Sequence, residues 1–254
     1  MLRRDVIAAH SQLPIFFWWG LVGIVALAIK YHFSNASVEQ LDWILRPVSL
    51  LLEWMGGYSF ARNGLNEWAS ESANIRLAKG CSGINFMLMS LLAWAWSLSP
   101  GPQLRGAVRY WLANRVALIL VIVCAAWSTS ILANSLRILV AIEWHHASDL
   151  QHKLLGMGIY LPILSLQLCF GSRGGLGAAI LGPALVYILM MVMVPLLTGN
   201  AFQNLPLFLS HTLLISVMAS ILGCGYLCLR IKISKPFPVV IDEPHLAVNP
   251  AKTP

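Results

Sequence analysis

A chain of 254 residues with 58% hydrophobic and only 11% charged side chains lies far below the roughly 25% charge of soluble domains, which points to lipid as its solvent. Its net charge of +7 is spread between apolar runs, with no basic arm or aromatic-interleaved patch, so the charge argues for topology and lipid contact and against a nucleic-acid partner. Four of the five cysteines, Cys124, Cys169, Cys224 and Cys228, sit inside apolar runs as small hydrophobes and leave no disulfide framework; Cys81 stands apart.

Arg3 and Arg4 precede the apolar stretch Leu13–Ile29 with no convincing small-residue cleavage site after it, so a retained first span is expected over 13–30. The segment 41–57, LDWILRPVSLLLEWMGG, is short and carries Asp42, Arg46 and Glu53. Those charges are costly at mid-bilayer, which favours an interfacial or re-entrant piece over a seventh span. Residues 58–80 have a polar, Asn-Gly-containing centre and short alternating pieces, the pattern of a small surface hairpin. Further spans are expected over 82–98, 110–132, 154–170, 176–198 and 206–230. The stretch 110–144 is too long for one straight span. Its helix either kinks at the polar patch Ser128–Ser130 and Asn134–Ser135, projects past the membrane, or folds into a tight hairpin. From Pro236 the chain carries five prolines and cannot be helical throughout.

The expected fold is therefore all-α: a polytopic transmembrane helix bundle of six to eight spans, with a small extracytoplasmic surface segment before Cys81. Residues 1–235 form its single domain and 236–254 a cytoplasmic tail. With six spans and both ends inside, the short loops 99–110 and 171–175 are basic, as the positive-inside bias requires, and 199–205 carries no charge.

Three polar clusters interrupt this apolar chain. Lys79-Gly80-Cys81-Ser82-Gly83 opens the second span. Glycines let backbone approach a substrate closely, and a cysteine at a helix N-terminus beside a lysine favours the reactive thiolate; the alternative is a helix-start turn with an incidental cysteine. Asn134-Ser135-Leu136-Arg137 places a permanently charged guanidinium amid apolar sequence. It needs a partner or a task, unless it snorkels to the headgroups. Finally, His152 precedes the span that begins near Leu154 and can exchange protons near neutral pH. His145, Asp149 and His152, at spacings of four and three, would share a helix face, so a metal site is the competing reading of this last cluster.

In this order, Cys81-Ser82-Gly83, Asn134-Ser135-Leu136-Arg137 and Gln151-His152-Lys153-Leu154-Leu155-Gly156 resemble the exosortase/archaeosortase family of membrane cysteine transpeptidases. The wording CSGINF, NSLRI and HKLLGMGIY and the short chain resemble the compact exosortase K type. The match runs from about residue 55 to 170. The resemblance implies a catalytic Cys81, Arg137 and His152, with Asn134, Ser82 and Gly83 binding or orienting substrate. It implies no metal and no cofactor. It also implies a multi-pass protein of the cell inner (cytoplasmic) membrane whose active site faces the extracytoplasmic side. The partners are then membrane lipid, exported targets with a C-terminal sorting signal, and a lipid or glycan amine as acceptor. The chain departs from the larger exosortases in having fewer spans and a shorter interval from Arg137 to His152. Two other functions compete: a metal-dependent membrane hydrolase using His145, Asp149 and His152, and a non-enzymatic scaffold or transporter.

Overall fold

The computed structural model describes residues 2–63, 67–99, 108–144, 149–170, 176–197, 199–202 and 204–233. Within them the protein is mostly helical, as its apolar runs require. Helix α1 covers Leu2–Asn35, α2 Asp42–Gly56, α3 Ile84–Ser97, α4 Val108–Glu143 and α5 Asp149–Cys169. Then come α6 over Leu176–Ile188, a π-helical turn over Leu189–Met193, α7 over Val194–Leu197 and α8 over Leu205–Ile233. The tail 236–254 lies outside the described residues.

Among the described residues three helices are long and apolar enough to cross a bilayer, at Ile15–Asn35, Asn114–Glu143 and Phe208–Leu227. This is fewer than the six to eight spans expected from the sequence. Helix α3 has 14 residues, about 21 Å at 1.5 Å per residue, short of a ~30 Å hydrocarbon core. Helix α5 opens with Gln151, His152 and Lys153 and carries a buried Gln167 near its end, which dilutes its apolar character. The apolar run Ile180–Leu196 is shorter and is interrupted by the π turn.

The long stretch 110–144 resolves to a single helix with no hairpin. At 36 residues, α4 is about 54 Å long and runs beyond any bilayer core, carrying Arg137 along with it. It packs against α2, α3 and α5, while α5 and α8 flank α6 and α1 rests on α3. One apolar core joins α1 to α4 through Leu41, Leu45, Leu88 and Ile122; a second joins α3 to α5 and α6 through Phe86, Met157, Leu164 and Tyr187. Buried polar pairs fix the register between helices, since an unsatisfied polar group in lipid would be costly. Gln167 Nε2 donates to Ser90 Oγ at 2.7 Å, and Ser97 Oγ donates to the Gln167 carbonyl at 2.7 Å.

Helix α2 is amphipathic, burying Ile44, Leu45, Val48 and Leu52 while Leu50 and Trp54 are exposed. Its 15 residues, about 22 Å long, fit an interfacial helix better than a span. Gly57, at φ +70°, ends it, a left-handed position that costs glycine little. Beyond it the expected hairpin is a three-stranded antiparallel meander: β1 (Ala61–Arg62), β2 (Trp68–Ser70) and β3 (Ile75–Leu77). Trp68 pairs with Arg62 on one side and Leu77 on the other. The sheet is tied to α2 through Asp42, which accepts from Trp68 Nε1 at 2.8 Å and pairs with Arg62 at 2.6 Å. Just before β1, Tyr58 donates to Glu143 of α4 at 2.8 Å. The sheet thus delivers the chain from α2 to Cys81 at one end of the bundle.

Candidate functional site

Cys81 does not open α3, as the sequence suggested. It sits in a 3-10 turn, Lys79–Ser82, and α3 begins only at Ile84 after Gly83 reverses the chain at φ +69°. The Cys81 backbone N–H is bonded to the Ala78 carbonyl at 2.8 Å. A helix-dipole effect fades within the first turn, so the end of α3 is a weaker influence on this thiol than the sequence implied. Cys81 is half-buried and packs at the edge of the α1–α4 core.

The turn is held from α4. Asn134, fully buried, donates through Nδ2 to the Cys81 carbonyl, and Ser130 Oγ donates to the Gly83 carbonyl at 3.0 Å. A Cβ at Gly83 would stand 3.0 Å from Asn134 Cβ and Cγ, so glycine is required both for its φ and for this contact. Asn134 is thus placed against the backbone of the cysteine turn, rather than out in the cavity as a substrate contact. Its Oδ1 accepts from the Tyr160 hydroxyl at 3.3 Å, and Tyr160 in turn stacks on Phe86 with centroids 4.2 Å apart.

Beside this turn lies a cavity of about 210 Å³. Gly80, Ser82 and Gly83 line it from the cysteine turn, Arg137 from α4, and His152, Lys153, Gly156 and Tyr160 from α5. Tyr187, Met191 and His211 close it from α6, the π turn and α8. Three segments distant in sequence therefore converge on one space. Both neighbours of Cys81 line that space, whereas Cys81 itself does not, although it lies within electrostatic range of Tyr160. Arg137 stands 5.9 Å from the centre of the Tyr160 ring, a cation–π arrangement. Its Nε is buried and has no hydrogen-bond partner among the described residues. Gly156 leaves room for this: a Cβ there would already touch Arg137 Cδ at 3.7 Å. His152 is exposed at the mouth.

Lys79, expected to lend charge to the thiol, instead donates to the carbonyls of Ser34 at 3.1 Å and Ala36 at 2.9 Å, where α1 ends. A cation suits the negative end of that helix. Lys30 donates to Asn85 Oδ1 at 3.0 Å, and both ammonium groups flank the Phe33 ring. Among the described residues no carboxylate lines the cavity. Its chemistry is that of a cationic pocket able to bind an anion or stabilise developing negative charge.

The competing metal reading needs His145, Asp149 and His152 together. His145 and the Asp149 side chain lie outside the described residues, and among the described ones no cluster of three His, Cys, Asp or Glu is present. Tyr160 and His211 were missed from sequence. His211 carried a signal, as an ionisable residue within an apolar run, and Tyr160 shares a helix face with His152 and Gly156 at spacings of four. No protein-family model, curated protein or solved structure matches this chain.

Proposed function

We propose that this protein is an exosortase-like cysteine peptidase or transpeptidase, embedded in the cytoplasmic membrane with its active site on the extracytoplasmic side. One observation carries the reading: Gly80, Ser82 and Gly83 around Cys81 share a cavity with Arg137 and His152, although they come from three separate parts of the chain. Three helices long and apolar enough to cross a bilayer anchor the bundle in lipid. Each of the three short motifs that resemble the family contributes to the cavity wall, through Ser82 and Gly83, Arg137, and His152, Lys153 and Gly156.

In this mechanism a target presents its C-terminal sorting signal at the mouth of the cavity, with its apolar span held in lipid. The Cys81 thiolate attacks the scissile carbonyl, and the C–N bond breaks as His152 passes a proton to the leaving amine. Arg137 stabilises the oxyanion, a task suited to a guanidinium with a free buried N–H. Asn134 and Ser130 act as positioning residues that hold the cysteine turn. The thioester is resolved by water, giving proteolysis, or by a lipid or glycan amine, giving transpeptidation.

The test compares cells that carry the wild-type protein, Cys81→Ala or Cys124→Ala, using C-terminal peptide mass spectrometry of exported proteins. The reading predicts a set of proteins that lose a C-terminal apolar span with the wild type and with Cys124→Ala, but keep it with Cys81→Ala. Identical C-termini in all three strains would refute it.

A further inference from the structure

A second space lies among the same helices as the cationic cavity. It is an apolar groove of about 570 Å³ between α1, α3, α5, α6 and α8, lined by Trp19, Leu92, Trp96, Leu168, Leu185 and Leu189, among others. No described residue lines both, but their walls are neighbours along two helices. In α3 the cavity is lined by Met89 and the groove by Leu92, one turn on; across from them, Tyr187 and Met191 line the cavity and Ile188 and Leu189 the groove. The π turn over Leu189–Met193 contributes to both walls. Such turns recur at functional sites because they re-aim side chains within a helix.

We propose that the cavity and groove together seat one anionic phospholipid, its phosphate beside Arg137 and one acyl chain in the groove. The charge is complementary at the polar end. Arg137 and Lys153 line the cavity with two imidazoles and no carboxylate among the described residues, and the buried Arg137 Nε lacks an acceptor that a phosphate oxygen supplies. Lys30 stands one residue behind the wall, bonded to the cavity-lining Asn85. The depth also fits. Leu92 and Trp96 lie eight and twelve residues into α3 from Ile84, about 12 and 18 Å along the helix, close to the ~15 Å of one hydrocarbon leaflet. A target's spanning helix is a poorer occupant. At about 10–12 Å across and ~30 Å long it fills on the order of 2,500 Å³, several times the groove. This site does not depend on Cys81 acting as a nucleophile.

Native mass spectrometry of the purified full-length protein tests it, with phosphatidylglycerol, phosphatidylcholine and inorganic phosphate as probes. Phosphatidylglycerol is expected to bind at least tenfold more tightly than phosphatidylcholine. Arg137→Gln should remove that preference, and Ala219→Phe, which fills the groove, should weaken both lipids severalfold. Ala219→Leu repeats the second arm should the phenylalanine variant misfold, with folding checked by circular dichroism. Phosphate should compete with the lipid head, yet bind no differently to the Ala219 variants. Equal binding of the two lipids, or lipid binding unchanged by filling the groove, would overturn the proposal. The latter result, with phosphate binding retained, would leave only a free-anion site. A wild-type protein that binds the two lipids equally yet processes its targets would sink this inference alone, and one that binds phosphatidylglycerol selectively yet processes no target would sink the peptidase reading alone.

Discussion

Asn134, in α4 and 53 positions further along the chain than Cys81, donates to the carbonyl oxygen of Cys81. One buried amide thereby couples the cysteine turn to the helix that carries Arg137, three residues further along α4. The same amide receives the Tyr160 hydroxyl from α5, so three elements meet at Asn134.

Removing that amide is therefore expected to loosen the turn. Asn134→Ala leaves the Tyr160 hydroxyl and the Cys81 carbonyl without a partner at a buried site, and should cost about 1–3 kcal/mol of stability. Processing should fall by more than the loss of folded protein explains. The check is a turnover assay normalised to folded protein, with Tyr160→Phe as a milder comparison that keeps the stack on Phe86.

Gly83→Ala should be worse tolerated than its size suggests. The residue is held at φ +69°, and its Cβ would press on Asn134 at 3.0 Å and Ser130 Oγ at 3.1 Å. A non-glycine left-handed residue costs about 1–3 kcal/mol, before the contact is relieved. Thermal unfolding of Gly83→Ala against Gly80→Ala measures the difference, because Gly80 has open space around its Cβ position.

Much of this arrangement could be read from the amino acids. Cys81, Arg137 and His152 stood out because each is a reactive or charged residue at an apolar boundary, where chance gives few such residues. The role of Asn134 did not stand out, since its partner is a backbone carbonyl that no side-chain pattern reveals. The 3-10 turn before α3 was hidden for a related reason: Lys79–Ser82 and Ile84–Ser97 read as one helical run until Gly83 is seen in the left-handed region. The π turn at Leu189–Met193 adds one residue to a uniformly apolar segment and leaves no trace in its hydropathy. The β1–β3 meander was only half-visible because strands of two and three residues carry little periodicity.

The sheet should loosen in acid. Burial pushes the Asp42 carboxyl up, but hydrogen bonds from Trp68 and Arg62, with the charges of Arg62 and Arg46, outweigh it and hold the pKa below its ordinary value. A depressed carboxylate adds stability above its unfolded pKa of about 3.9 and loses it as pH falls through the folded value. The window therefore lies below about pH 4. Hydrogen-exchange protection over residues 61–77 should drop there, modestly because the pair is partly exposed. Asp42→Asn should show no such drop.

Arg137→Lys keeps the positive charge and loses the planar fork. If the guanidinium stabilises an oxyanion, turnover should fall by about a hundredfold or more, with little change in unfolding temperature. A lysine that sustains full turnover would mean that charge alone suffices at this position.

The most direct test of the account is the reactivity of the Cys81 thiol in intact membranes, in a background where the other cysteines are replaced by alanine. At neutral pH Cys81 should react with iodoacetamide at least tenfold faster than the same thiol in His152→Gln or Arg137→Gln, as read by intact mass. A Cys81 that resists alkylation, or that reacts at the same rate in all three proteins, would contradict the claim that these residues form one site.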